Sequence, residues 1–428
     1  MSEEGAVTLA FCGGGSGAKL KSKVARGMSE LEDVVEEEEE GVVVLSGRSV
    51  EMPHVDHSEA EVATLFSVKY ESVTSISLSE EEYCLHLTHT TNWEDVAVAL
   101  SDFSVTLLKR ETLQKVSSFD PHQECITGLK FSPGNNNCLW TSSSDGFVKM
   151  WDVRSNQCEK EFQGMTKSSS VTKPLTCFDI SCNERILCAG TELVETGVFI
   201  LFWDIRGDKA LGSYWESHTD NITQVKFNPS QADTMATAAT DGLINVFDIS
   251  QSTEDDALTY CMNSEVTTGN LSWLGQNGRQ ERLSAITDIE SLQYWDIKEA
   301  APMHKYSRED VAAAMKLKEP DDCYLASVHM SSEGDNPLVL VGARNDEGSD
   351  TLCTLKLDLQ TGQLKPHGSF VAKQLLLMIR AALYQVETDS YITAGECGVV
   401  RIWKPESTES IGKQSLVKLS KKNRTKPY

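Results

Sequence analysis

Apolar and polar residues alternate along this chain in short runs, the period-two signature of half-buried strands. Four of the runs end on tryptophan followed by a charged residue: Trp151-Asp152, Trp203-Asp204, Trp295-Asp296 and Trp403-Lys404. Three weaker copies fill the gaps, with Leu108-Lys109, Phe247-Asp248 and Leu357-Asp358 in the same place. Successive copies lie 43, 52, 44, 48, 62 and 46 residues apart. A unit of that length, built from several short strands, cannot bury its faces alone and has to stack on copies of itself.

The spacing predicts seven four-stranded blades between about residues 65 and 405, an all-β, seven-bladed β-propeller. Such a ring closes when a strand from the N-terminal side completes the last blade, which leaves only short, protected edges. Residues 65–70 (LFSVKY) are placed for that role. Blade one is expected over 83–119. Blade two is the clearest: 126–133 alternates and then turns, 138–142 forms the second strand, Asp145-Gly146 a tight turn, 147–151 the third strand and 159–162 the outer one. Blade four repeats this plan over 222–248, and blade three lengthens its turn at 191–197. Blade five is degenerate. Blade six carries the longest connections, 298–322 and 344–351, where binding specificity is expected to sit. The apolar stretch 374–384 is interrupted by Arg380 and is too short to span a bilayer, so it is read as the inner strand of the last blade.

The ends have a different character. Residues 1–60 are expected to form a disordered acidic arm, because 30–40 packs eight acids into eleven positions and like charge at that density repels itself. Residues 406–428 are expected to form a basic flexible tail, with a nuclear localisation signal among its readings. A formal net charge of −25 speaks against nucleic acid as the main ligand, since a phosphate backbone needs a basic surface. It is compatible with a basic protein partner, and with solubility alone. The first residues lack the pattern of a signal peptide. The twelve cysteines are scattered without zinc-site spacing. An intracellular location, cytoplasmic and/or nuclear, is therefore expected.

The repeats resemble those of the WD-repeat β-propeller family. The likeness is carried by ILCAGTE with FWD (186–204), ESHTDNITQVKFNPS (216–230), DGLINVFDI (241–249) and GVVRIWKP (398–405). The chain is expected to be a monomeric, non-enzymatic scaffold for protein–protein contacts, without cofactor, metal or membrane, since no acid–base or metal constellation and no spanning apolar stretch is present. The resemblance implies a buried hydrogen-bonded set in each blade, drawn from His, Ser or Thr, Asp and Trp. Blade two supplies His122, Thr141 or Ser142, Asp145 and Trp151; blade four supplies His218, Thr237 and Asp241, with Phe247 where the indole belongs. Asp145 and Asp241 are thus struts and not catalytic carboxylates. The HVDH run at 54–57 has too few ligands for a metal. In GGGSGAK, at 13–19, Ala18 separates the last glycine from Lys19, so no phosphate-binding loop forms.

The sharpest functional signal is LWTSSSDGFVKMWDVR at 139–154. It resembles the sixteen-residue box by which WD proteins dock onto the damage-binding adaptor of cullin-RING ubiquitin ligases. Arg154 ends that box, and FWDIR in blade three supplies Arg206; these two are the partner-binding candidates. An arginine two residues after the aspartate also serves as an ordinary rim ion pair, which contributes little. The run of glutamates at 36–40 opens a different reading, a carrier of basic proteins such as histones or ribosomal proteins.

Overall fold

The computed structural model describes residues 65–166, 171–194, 197–207, 209–275, 281–299, 301–317, 319–331, 336–344, 350–372 and 378–406. The acidic arm and almost all of the basic tail lie outside these residues, as do 345–349 of the second long connection. Within them stand seven four-stranded antiparallel blades, over 84–119, 126–163, 175–214, 222–263, 268–306, 323–371 and, for the last, 379–405 together with Val68–Ser77. The first strand of each blade packs against the first strand of the next. The seventh packs back onto the first, so the ring is closed. The expected seven-bladed propeller is the observed fold.

Burial explains why the alternation fades in each blade's second strand. Asp95–Leu100, Cys138–Ser143, Ile186–Thr191, Thr234–Ala239 and Arg282–Thr287 are buried along nearly their whole length. A strand covered on both faces reads as a continuous apolar or small-residue run, and these do: VAVAL, LWTSS, MATAA. Small side chains let neighbouring blades approach. A Cβ added at Gly190 would overlap Ile222 on the inner strand of the next blade.

Every blade also repeats one backbone irregularity at each side. The register between first and second strands shifts near the start of the first strand in all seven, as between Ile126 and Gly128. A second shift separates the third strand from the outer one in all seven. In six it falls beside the tryptophan position; in blade six it lies two residues earlier, at Thr354/Leu355. Bulges increase local twist, and paired bulges turn a flat sheet into the strongly twisted blade that a ring needs.

Closure is more extensive than 65–70 suggested. The closing strand runs Val68–Ser77 and pairs antiparallel with Val399–Pro405 as the outer strand of blade seven. Its first residues also pair in parallel with the outer strand of blade six, from Val68↔Gly368 to Glu71↔Val371. Blades six and seven therefore form one continuous eight-stranded sheet. Tyr70 pins the seam. It is fully buried, stacks on Phe370 at 4.8 Å, meets Tyr391 edge-on at 5.3 Å, and donates its hydroxyl to Asp389 at 2.8 Å.

Two expectations are corrected. Blade five is complete, with strands Thr268–Leu274, Arg282–Thr287, Leu292–Asp296 and Ala301–Tyr306. Residues 298–322 are accordingly no long loop: they hold that outer strand and then a helix, Arg308–Met315. Ser307 and Asp310 form a capping box at the helix start. Val311, Ala312 and Met315 bury their side chains against Tyr306, Cys323 and Leu325, so the insertion extends the core between blades five and six. The inner strand of blade seven is Ile379–Gln385, and residues 374–377 of the apolar stretch lie outside the described residues.

Because Tyr70 fills the closing seam, Tyr70→Ala is expected to cost about 3 to 5 kcal/mol of stability, as large aromatic truncations in cores do. Tyr70→Phe, which loses only the bond to Asp389, is expected to cost about 1 to 2 kcal/mol. Chemical denaturation of the two variants checks both values.

Candidate functional site

The site grows from the turn that follows the third strand of a blade. In blades two to six this strand ends on aspartate, and the carboxylate accepts the backbone N–H two residues further on. The distances are 2.9 Å from Arg154, 3.0 Å from Arg206, 3.1 Å from Ser250, 3.0 Å from Lys298 and 3.1 Å from Gln360. This is an Asx turn, in which a short carboxylate replaces a backbone acceptor. The aspartate of each Trp-Asp pair is therefore held by local chain geometry before any partner is considered.

In blades two and three the residue at the end of that turn is arginine, and its side chain folds back onto the same carboxylate. Arg154 donates from Nε to Asp152 Oδ1 at 3.1 Å and from Nη2 to Oδ2 at 2.7 Å. Arg206 repeats the fork on Asp204 at 3.0 and 2.8 Å. Both arginines are well exposed, their side chains 69% and 65% accessible. The arginine hydrogen bonds, side chain and backbone, push the Asp152 and Asp204 carboxyls down to about 2. The Lys160 ammonium, on the outer strand of blade two, donates to the Ile205 carbonyl at 2.7 Å, tying the corner of one blade to the other. The two predicted arginines thus occupy equivalent corners of adjacent blades, on the face formed by the third-to-outer connections.

The fork uses the side-on edge of each guanidinium, Nε with Nη2. The end-on edge, Nη1 with the second Nη2 hydrogen, points away from the carboxylate and suits a bidentate acceptor. Two arginines held this way form a pre-ordered pair of donors.

The buried carboxylates behave as struts. In blade two the Trp151 indole N–H donates to Thr141 Oγ1 at 3.1 Å, Thr141 Oγ1 meets His122 Nε2 at 2.8 Å, and His122 Nδ1 meets Asp145 Oδ2 at 2.9 Å. Thr141, not Ser142, is the hydroxyl involved; Ser142 bonds Thr127 instead. Burial raises the Asp145 carboxyl, but the bond to His122, its charge and the Phe147 N–H outweigh this and hold it below the ordinary value. Blade four keeps His218, Thr237 and Asp241 in the same contacts. Where Phe247 has no N–H to give, Asn245 donates to the Ser217 carbonyl at 2.7 Å. Gln293 makes the corresponding bond in blade five, which retains Trp295, donating to the Ser264 carbonyl at 3.0 Å. Nothing in the sequence pattern flags these two amides, because their role depends on register.

Among the described residues no group of three or more His, Cys, Asp or Glu side chains is placed to hold a metal ion, and no helix is long and apolar enough to cross a membrane. The HVDH run and GGGSGAK lie outside these residues. Most cysteines of the described residues are buried. On the flank between blades three and four, Trp215 is exposed at the rim of a groove, a feature the sequence reading passed over.

Comparison with known proteins agrees with the architecture. The family model described as "WD domain, G-beta repeat" matches residues 113–152, the outer strand of blade one and most of blade two. Over 81% of its length the chain is 25% identical to WD repeat-containing protein 89 homolog of Dictyostelium discoideum, covering 92% of that protein. GATOR2 complex protein WDR24 of Danio rerio is 21% identical over 42% of this chain and 22% of its own. Ribosome biogenesis protein YTM1 of Candida albicans is 35% identical over 21% of this chain and 18% of its own.

The sign of the Asp145 shift fixes a pH dependence. A carboxyl held below its unfolded value of about 3.9 stabilises the fold above that pH, and the contribution disappears as pH falls through the lower folded value. The stability gap between the natural chain and Asp145→Asn is therefore expected to be full at neutral pH and to close below about pH 4. Urea unfolding at several pH values measures it. Arg154→Ala, which removes the guanidinium but keeps the backbone N–H bond, is expected to raise the Asp152 carboxyl part of the way back toward the ordinary range, read by carboxyl-carbon NMR titration.

Proposed function

We propose that this WD-repeat β-propeller, similar over most of its length to WD repeat-containing protein 89 homolog, is a non-enzymatic protein-interaction scaffold that docks a partner through Arg154 and Arg206. The preferred partner is the damage-binding adaptor of cullin-RING ubiquitin ligases, which makes the chain a substrate receptor, its client held on the opposite face. The observation that supports this is the pair of identical forks on adjacent blades. A free arginine gives up about 2 kcal/mol of rotamer freedom on binding. An arginine already held by Asp152 or Asp204 gives up less, and still offers its end-on edge to a carboxylate or a pair of carbonyls.

One observation favours a second reading, the carrier of basic proteins such as histones or ribosomal proteins. The connections on the face opposite the forks are rich in acids, among them Glu80, Glu81, Glu82, Asp102, Asp120 and Glu124. A likeness to a protein named for ribosome biogenesis fits that reading, though it covers little of either chain.

Co-purification of the adaptor with the intact chain, compared with the Arg154→Ala/Arg206→Ala variant, separates the two. At least a tenfold loss of adaptor, roughly what removing an arginine hot spot produces, supports docking. Unchanged recovery removes it. Capture of histones that survives the double change but falls steeply between low and physiological salt moves the function to the carrier reading.

A further inference from the structure

A groove of about 560 Å³ lies on the flank of the ring between blades three and four. One wall is the end of blade three's outer strand, with Leu211, Gly212, Tyr214 and Trp215; the other is the turn after blade four's third strand, from Ile249 to Asp255. Phe202 closes the floor. The wall is built rather than accidental. The Glu254 carboxylate accepts the backbone N–H groups of Trp215, Glu216 and Ser217 at 2.8, 3.0 and 2.9 Å and the Ser217 hydroxyl at 2.6 Å. Four bonds to one carboxylate fix this turn while leaving Trp215 57% exposed. On the strand itself, the bulge opposite Phe202 and Trp203 leaves Leu211 as the extra residue, nearly half exposed along the groove.

Three further observations specify an occupant. The outer strand of blade three is the last in its sheet, so its far side has no strand partner, and an edge of that kind accepts an added strand. A Cβ placed at Gly212 meets nothing within 4 Å, so the space over the face of the strand at that position is open. The lining holds the carboxylates Glu216, Glu254 and Asp255 and no lysine, arginine or histidine. Glu254 is occupied by the turn, whereas Glu216 and Asp255 are exposed at the rim. We propose that this groove binds an extended segment of a partner protein that presents a large apolar side chain flanked by lysine or arginine. The apolar side chain packs between Leu211 and Trp215, the segment lies along the open edge, and its cations face Glu216 and Asp255. The surface is separate from the arginine forks, so either can operate without the other.

Panning the full-length chain against a phage-displayed library of random peptides tests this. The best enriched peptide is then synthesised with a fluorescent label and titrated by anisotropy. The expected consensus is apolar with adjacent Lys or Arg. Binding is expected to weaken at least about tenfold in Trp215→Ala, as for an aromatic hot spot, and similarly in Gly212→Leu, which fills the groove without removing a contact. Glu216→Lys/Asp255→Lys is expected to invert the charge preference. Thermal unfolding of each variant confirms that the ring is intact. No enrichment, a consensus without cations, or binding that is unchanged in a folded Gly212→Leu chain overturns the proposal.

Discussion

A ring of small sheets has no central core; each blade is covered only by its two neighbours. The constraint that the rest of the structure depends on is therefore the pairing of Val68–Ser77 with Val399–Pro405. This contact joins residues more than three hundred positions apart, and its loop-closure entropy has to be met by burial at one seam. Tyr70, Phe370, Tyr391 and Trp403 supply that burial. Arg110 adds to it on the other side of blade seven, reaching from blade one to Ser390 at 2.9 Å and to Gln385. With the seam shut, every third-to-outer turn is held on one face, and Arg154 and Arg206 sit at matching corners.

Much of this was legible in the sequence. The Trp-Asp pairs mark third strands, the small-residue runs mark doubly covered second strands, and Asp145 with His122 marks a buried polar chain, because each leaves residue types with few alternative explanations. Blade five was harder to read for a physical reason. Its turn between second and third strands replaces Asp-Gly with a hydroxyl pair, Thr287 and Ser291 at 2.6 Å, and the backbone accepts either solution. In blades one and four the bulge keeps its place although Leu108 and Phe247 stand where tryptophan belongs, so there the backbone repeats more faithfully than the side chains. The helix at Arg308–Met315 was missed because eight residues give little room for a period to show. The flank groove was missed because its walls come from separate blades.

Three surfaces with different chemistry result. One face presents two arginines pre-folded onto aspartates, the opposite face is dominated by carboxylates, and the flank between blades three and four offers an aromatic groove with an acidic rim. A rigid ring keeps these apart, so a scaffold of this kind can hold several proteins without their competing for the same residues. The forks are built on a recurrent structural device: the Asx turn appears in five blades, and in two of them an arginine at its end adds a bidentate bond to the same carboxylate.

The eight-stranded sheet shared by blades six and seven has a consequence for biosynthesis. The closing strand is among the first described residues to leave the ribosome, yet both of its partners, near 370 and 400, are made last. At usual elongation rates that interval is about 20 to 70 seconds. During it Val68–Ser77 is a nascent strand with no sheet to join, and blades one to five accumulate as an open arc with a bare edge at each end. An unfinished chain therefore carries this strand unpaired, and a truncation that removes the last blade leaves it only the short parallel ladder along blade six.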